Sequence, residues 1–149
     1  MPHTHTNLLT HIVFGTKDRM PLIPAELKHQ LHAYMGGIVR EVGGKAYTIN
    51  GTTDHVHLLI SLPPALALSD AIRVLKANSS RWMRGEKKAD KFGWQPGYGA
   101  FSVSQSNAKA VAAYIDGQEE HHRKVSFRDV FVAFLKKNQI EFEEKFLWG

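Results

Sequence analysis

Asp54-His55-Val56-His57-Leu58-Leu59-Ile60-Ser61-Leu62 is the stretch whose reading decides the fold. It has the length of a strand, and Pro63-Pro64 ends it. Successive side chains of a strand point to opposite faces, so His55 and His57 share one face while Val56, Leu58, Ile60 and Leu62 share the other. The aliphatic side calls for a packed layer, and two imidazoles project together from the opposite side. Neutral imidazole is a common ligand for a divalent metal, and such a pair can supply two donors of a site that keeps positions open for substrate. The same pair can also be two ordinary strand histidines. A second copy of the spacing, His3-Thr4-His5, has no apolar strand to hold it and reads as a solvated terminus.

Just before this strand, Lys45 to Asn50 reads as a strand joined to it through Gly51-Thr52-Thr53, which predicts a hairpin. Further back, Pro24 starts a helix to about Val42, with Leu27, Leu31, Tyr34 or Met35, and Ile38 at helical spacing and Gly43-Gly44 as its stop. Asn7 to Thr16 forms the first strand, and His11 within it reads as a histidine satisfied inside the sheet. Downstream, Ser69 is the expected N-cap of a helix whose apolar stripe holds Ile72, Leu75, Trp82 and Met83. Residues 92–105 make a Gly and Pro bend dense in aromatics that ends in a short strand, Phe101 to Gln105. Ser106 or Asn107 can cap a helix over Ala108 to His121, which Gly117 interrupts. Ser126 opens a last helix with Phe127, Val130, Phe131, Phe134 and Leu135 on one face, and this apolar excess suggests an oligomer interface.

The order is βαββαβ followed by two helices, an α+β sandwich expected to cover one sheet face and leave the histidine face open. With 149 residues the chain is read as one domain, 1–149, long enough to bury a core without disulfides. The absence of cysteine excludes thiolate metal sites and cysteine nucleophiles and suits a reducing compartment. No apolar run approaches the roughly 18 residues that span a bilayer, so a cytoplasmic location with no membrane partner is expected. Nineteen basic against fourteen acidic residues give +5, a balance that favours a polyanionic partner. Arg73, Lys76, Ser80 and Arg84 step along one helix face that is either a solvated surface or a track for phosphates. Trp94, Tyr98 and Phe101 either stack on unpaired bases or pack as core.

Gln118 is a candidate third donor from a different element, its carbonyl oxygen suiting a hard cation such as Mg²⁺ or Mn²⁺. Tyr114 lies one helical turn before it, on the same face. A lone helical tyrosine is ordinarily a core residue, yet beside a metal its hydroxyl can attack phosphorus and become covalently attached, conserving the phosphodiester energy for rejoining.

Five blocks in order carry a resemblance across nearly the whole chain: HIVFGTKDR at 11–19, DHVHLLISLP at 54–63, LKANSSRW at 75–82, WQPGYGAFSVS at 94–104 and YIDGQEEHH at 114–122. Together they resemble the small single-tyrosine transposases of the HUH endonuclease superfamily, encoded by compact insertion sequences. The resemblance implies a ferredoxin-like or RRM-like antiparallel sheet, His55, His57 and Gln118 as metal ligands, and Tyr114 as nucleophile. It also implies a homodimer acting on single-stranded DNA with hairpin ends, cutting to a 5′-phosphotyrosine and a free 3′-hydroxyl. The tyrosine helix then serves its own subunit or its partner's. Arg73, Lys76, Arg81 and Arg84, with Trp94 and Tyr98, are the candidate DNA contacts. Gly117 stands where the family commonly has asparagine, leaving the catalytic spacing intact. A domesticated repeat-processing nuclease and a non-catalytic single-stranded nucleic-acid binder are the alternatives.

Overall fold

The computed structural model describes residues 3–122 and 124–148. Strands β1 (Leu9–Gly15), β2 (Lys45–Gly51), β3 (His55–Ser61) and β4 (Gly99–Ser102) form one sheet in the order β2-β3-β1-β4. All three neighbouring pairs are antiparallel. Helices α1 (Lys28–Glu41) and α2 (Leu68–Gly85) join β1 to β2 and β3 to β4, giving the expected βαββαβ order. Beyond β4 the chain forms α3 (Ala108–Asp116), α4 (Gln118–His122) and α5 (Phe127–Lys137).

The alternation of β3 builds the main core. Val56, Leu58 and Ile60, together with Ile12 and Phe14 of β1, meet Leu31, Met35 and Val39 of α1 and Ile72, Leu75 and Met83 of α2. Several local boundaries shift. The 24–42 segment opens with a short 3₁₀ turn, Ala25–Leu27, before α1. Ala67, not Ser69, stands at the N-cap of α2, and β4 begins two residues before Phe101. Ser126 does cap α5, its hydroxyl accepting from Asp129 N at 3.2 Å.

The histidine face of the sheet is not open. That face also carries Leu9, Val13, Leu59 and Phe101, which need burial of their own. Ile115 of α3 packs with Leu9 and Leu59, while Phe127, Phe131 and Leu135 of α5 pack with Val13 and Phe101. Burying each such side chain contributes about 2 kcal/mol. Two glycines admit the rings: a Cβ at Gly15 would lie 2.9 Å from Phe127 Cε2, and one at Gly99 would lie 2.7 Å from Phe131 Cε1. Much of the apolar excess read as an oligomer surface is therefore satisfied within the chain, although Ile140 and Phe146 remain exposed.

Candidate active site

His55 and His57 lie side by side on β3, both fully buried, with ring centroids 5.1 Å apart. Each is oriented through its Nδ1. His55 Nδ1 lies 2.8 Å from Asp54 Oδ1 and 3.0 Å from the Thr52 hydroxyl, which itself donates to Asp54 Oδ1 at 3.1 Å. A carboxylate only accepts, so this contact holds the proton of a neutral His55 on Nδ1 and leaves a lone pair on Nε2. His57 Nδ1 lies 2.9 Å from Nε2 of His11, a β1 residue on the same sheet face.

The tyrosine segment crosses β2 and β3 and is fastened close to its functional residues. The Asn50 amide donates to the carbonyls of Ile115 and Asp116, each at 3.0 Å. Thr48 bonds Asp116, and the buried Lys28 pairs with Glu119 at the start of α4. Gly117 separates α3 from α4, as its low helix propensity suggests.

This fastening brings Gln118, also fully buried, to His55: Gln118 Oε1 stands 3.3 Å from His55 Nε2. The Gln118 amide donates to Tyr114 O at 3.2 Å, which aims its carbonyl at the imidazole. With the His55 proton on Nδ1, two acceptors face one another. Adjacent ligands of an octahedral ion with bonds of about 2.1 Å lie about 3.0 Å apart, so the pair suits a shared hard cation. Among the described residues no three His, Asp or Glu converge to hold a metal; the further oxygen donor beside His55 is Gln118 Oε1.

Tyr114 is half-buried, its ring 5.8 Å from His57 and 5.3 Å from His121. Burial raises its pKa, opposed by a hydrogen bond to the Gln118 side chain. The phenol is therefore protonated at neutral pH and needs a proton acceptor or a neighbouring positive charge to react. His11 and His121 join the site without having been singled out for it. The two-residue period of β1 put His11 on one face with Leu9 and Val13, and His121 follows Tyr114 by two helical turns.

The DNA candidates separate in space. Arg73, Lys76 and Arg84 line a groove of about 510 Å³ with Trp94, Pro96 and Tyr98, whereas Arg81 lies outside it and bonds Asn78 at 3.3 Å. Within the groove, Lys76 donates to the carbonyls of Gln95, Pro96 and Gly97, and burial pushes its pKa down to about 8. Its ammonium holds the loop rather than facing solvent. Trp94 is only 9% exposed and packs edge-on against Phe14 and Phe92, its indole donating to Ser79 Oγ at 2.9 Å, so its faces are not offered for base stacking. Phe101 is buried too, and Tyr98 is the exposed aromatic of the three.

The chain thus combines an antiparallel β2-β3-β1-β4 sheet, a histidine pair on an inner strand and a tyrosine helix packed across it. The chain belongs to the family described as "Transposase IS200 like", whose family model matches residues 4–118. It is 28% identical over 116 residues to the ISDra2 transposase TnpA of Deinococcus radiodurans, covering 74% of this chain and 83% of that relative. It is 25% identical over 129 residues to the transposase for insertion sequence element IS200 of Salmonella typhimurium, covering 83% and 84%. Two solved structures share the fold. A crystal structure from Deinococcus radiodurans R1 gives a TM-score of 0.62 at 22% identity, covering 79% of this chain and 96% of that one. A REP-associated tyrosine transposase bound to a REP hairpin gives 0.59 at 15% identity, covering 84% and 76%. No helix among the described residues is long and apolar enough to cross a membrane.

Proposed function

We propose that this transposase cleaves and rejoins single-stranded DNA at hairpin-bearing element ends, using Tyr114 as nucleophile and a divalent ion, Mg²⁺ or Mn²⁺, held by His55, His57 and Gln118. The observation that carries the reading is the convergence of these four side chains beneath one helix layer, with Gln118 Oε1 facing His55 Nε2 at 3.3 Å. The bound ion would supply charge stabilisation at the scissile phosphate. Every other element is protein. Asp54 and Thr52 orient His55, the Gln118 amide locks its own carbonyl in place through Tyr114 O, and Asn50 fixes the end of the tyrosine helix.

In the reaction the Tyr114 hydroxyl gives up its proton as its oxygen bonds to phosphorus. The bond from phosphorus to the 3′-oxygen breaks, and that oxygen takes a proton to leave as a hydroxyl. One phosphoester replaces another, so the 5′-phosphotyrosine can be resealed by a second 3′-hydroxyl without an external energy source. In this reading the site draws on one set of the four residues, and a homodimer would carry two such sites, with the tyrosine helix serving its own subunit or its partner's.

A polyanionic substrate agrees with the +5 charge and with the exposed arginines of the α2 groove. The hairpin assignment takes support from the related fold bound to a REP hairpin. The test is incubation with hairpin-bearing single-stranded DNA, with and without Mg²⁺. Site-specific nicking that needs the ion and resealing of the nicked strand support the proposal; binding without nicking under either condition points to a non-catalytic binder.

A further inference from the structure

We infer that His11 is a positioning residue for the proposed ion: its Nε2 accepts the Nδ1 proton of His57 and so holds that imidazole in the tautomer whose Nε2 can coordinate. The inference rests on the reading of His57 as a metal ligand and deepens it.

A neutral imidazole carries one proton, on either nitrogen. The 2.9 Å contact between His11 Nε2 and His57 Nδ1 accommodates one hydrogen, and its ownership decides what His57 can do. If His11 donates, His57 has its proton on Nε2 and no lone pair there for a cation. If His57 donates, its Nε2 is a ligand and the His11 proton sits on Nδ1. Coordination selects the second state, and a partner that accepts from the distal N–H stabilises it.

The geometry around His11 suits this role. His11 is only 2% exposed, and the contact to His57 is buried. Phe101 and Phe134 meet its ring edge-on at 6.2 and 5.0 Å and set its orientation. The two ligands are thus oriented by different chemistry: a carboxylate on His55 and an imidazole on His57.

A filler of space and a hydrogen-bond acceptor make opposite predictions. Mn²⁺ binding is measured by calorimetry on the DNA-free protein, with thermal denaturation confirming that each variant is folded. His11→Phe fills the site without accepting and weakens Mn²⁺ affinity by about 10–100-fold, whereas His11→Gln supplies an acceptor and stays within about threefold of wild type. Equal affinity in His11→Phe, set against loss in His57→Ala, would overturn the role of His11 alone. Equal affinity in His57→Ala would overturn the metal reading beneath it. Should His11→Phe not fold, imidazole ¹⁵N spectra of the Mg²⁺-loaded wild-type protein decide the matter: both His11 and His57 are expected with the proton on Nδ1, and a His57 proton on Nε2 would contradict the inference.

Discussion

The Phe127 ring lies flat on the His55 imidazole, centroids 4.1 Å apart and planes 8° from parallel. Helix α5 is thereby a roof over the proposed ligands, and it lies beyond the residues that match the family model. With Phe127 stacked on it, His55 is fully buried. Phe127 is 4% exposed, so Phe127→Ala should cost about 3 kcal/mol of stability in urea denaturation. It should also speed modification of His55 by diethylpyrocarbonate, followed by peptide mapping. Unchanged protection of His55 would mean that α5 does not control access.

Gly117 has φ −92° and ψ 16°, values open to any residue, and a Cβ there would meet Ala113 O at 3.5 Å, an ordinary contact. Glycine is therefore not required by the backbone at this break. Gly117→Ala should raise stability by about 0.5–1 kcal/mol by restricting the unfolded chain. A lower denaturation midpoint would show that the break between α3 and α4 depends on glycine.

His32 on α1 is 8% exposed, and its Nε2 has no hydrogen-bond partner among the described residues. Its pKa falls from 6.5 to about 4, first through burial and then through Lys28 and His29. Above pH 6.5 the residue is neutral in both states. Below it, the unfolded chain binds a proton that the folded chain refuses, so stability falls as pH drops from 6.5 toward 4, by up to about 3 kcal/mol for this group. His11 titrates in the same direction. In His32→Leu the fall of the urea midpoint over this window should be shallower than in wild type; an identical slope would remove His32 from the account.

Arg73 and Arg84 line the α2 groove, and Arg81 does not. Arg73→Ala should weaken hairpin binding across sequences and reduce the salt dependence by about one counterion, while Arg81→Ala leaves both unchanged. Fluorescence anisotropy over a salt series reads both quantities. Equal effects of the two substitutions would place the DNA elsewhere.

Much of this was legible from local pattern. The two-residue period of β3 separated the imidazoles from the core, and the helical spacing of Tyr114 and Gln118 put both on one face. What stayed hidden depends on which elements become neighbours. His11 read as a satisfied sheet histidine, and its sequence could not say that β1 would lie beside β3 and offer it to His57. The Phe127, Phe131 and Phe134 stripe suggested an oligomer interface, whereas Phe127 and Phe131 pack against Val13 and Phe101 of their own sheet. Trp94 could have faced bases or core, and the Ser79 hydroxyl that receives its indole proton lies on another element, 15 residues away.

Whether Tyr114 forms the covalent bond to DNA is read by mass spectrometry of the protein after incubation with hairpin-bearing single-stranded DNA and Mg²⁺ or Mn²⁺. A nucleotide adduct mapped to the peptide containing Tyr114 is expected, absent in Tyr114→Phe while hairpin binding persists. An adduct that survives in Tyr114→Phe, or cleavage of the DNA with no adduct at all, would contradict the role of Tyr114 as nucleophile.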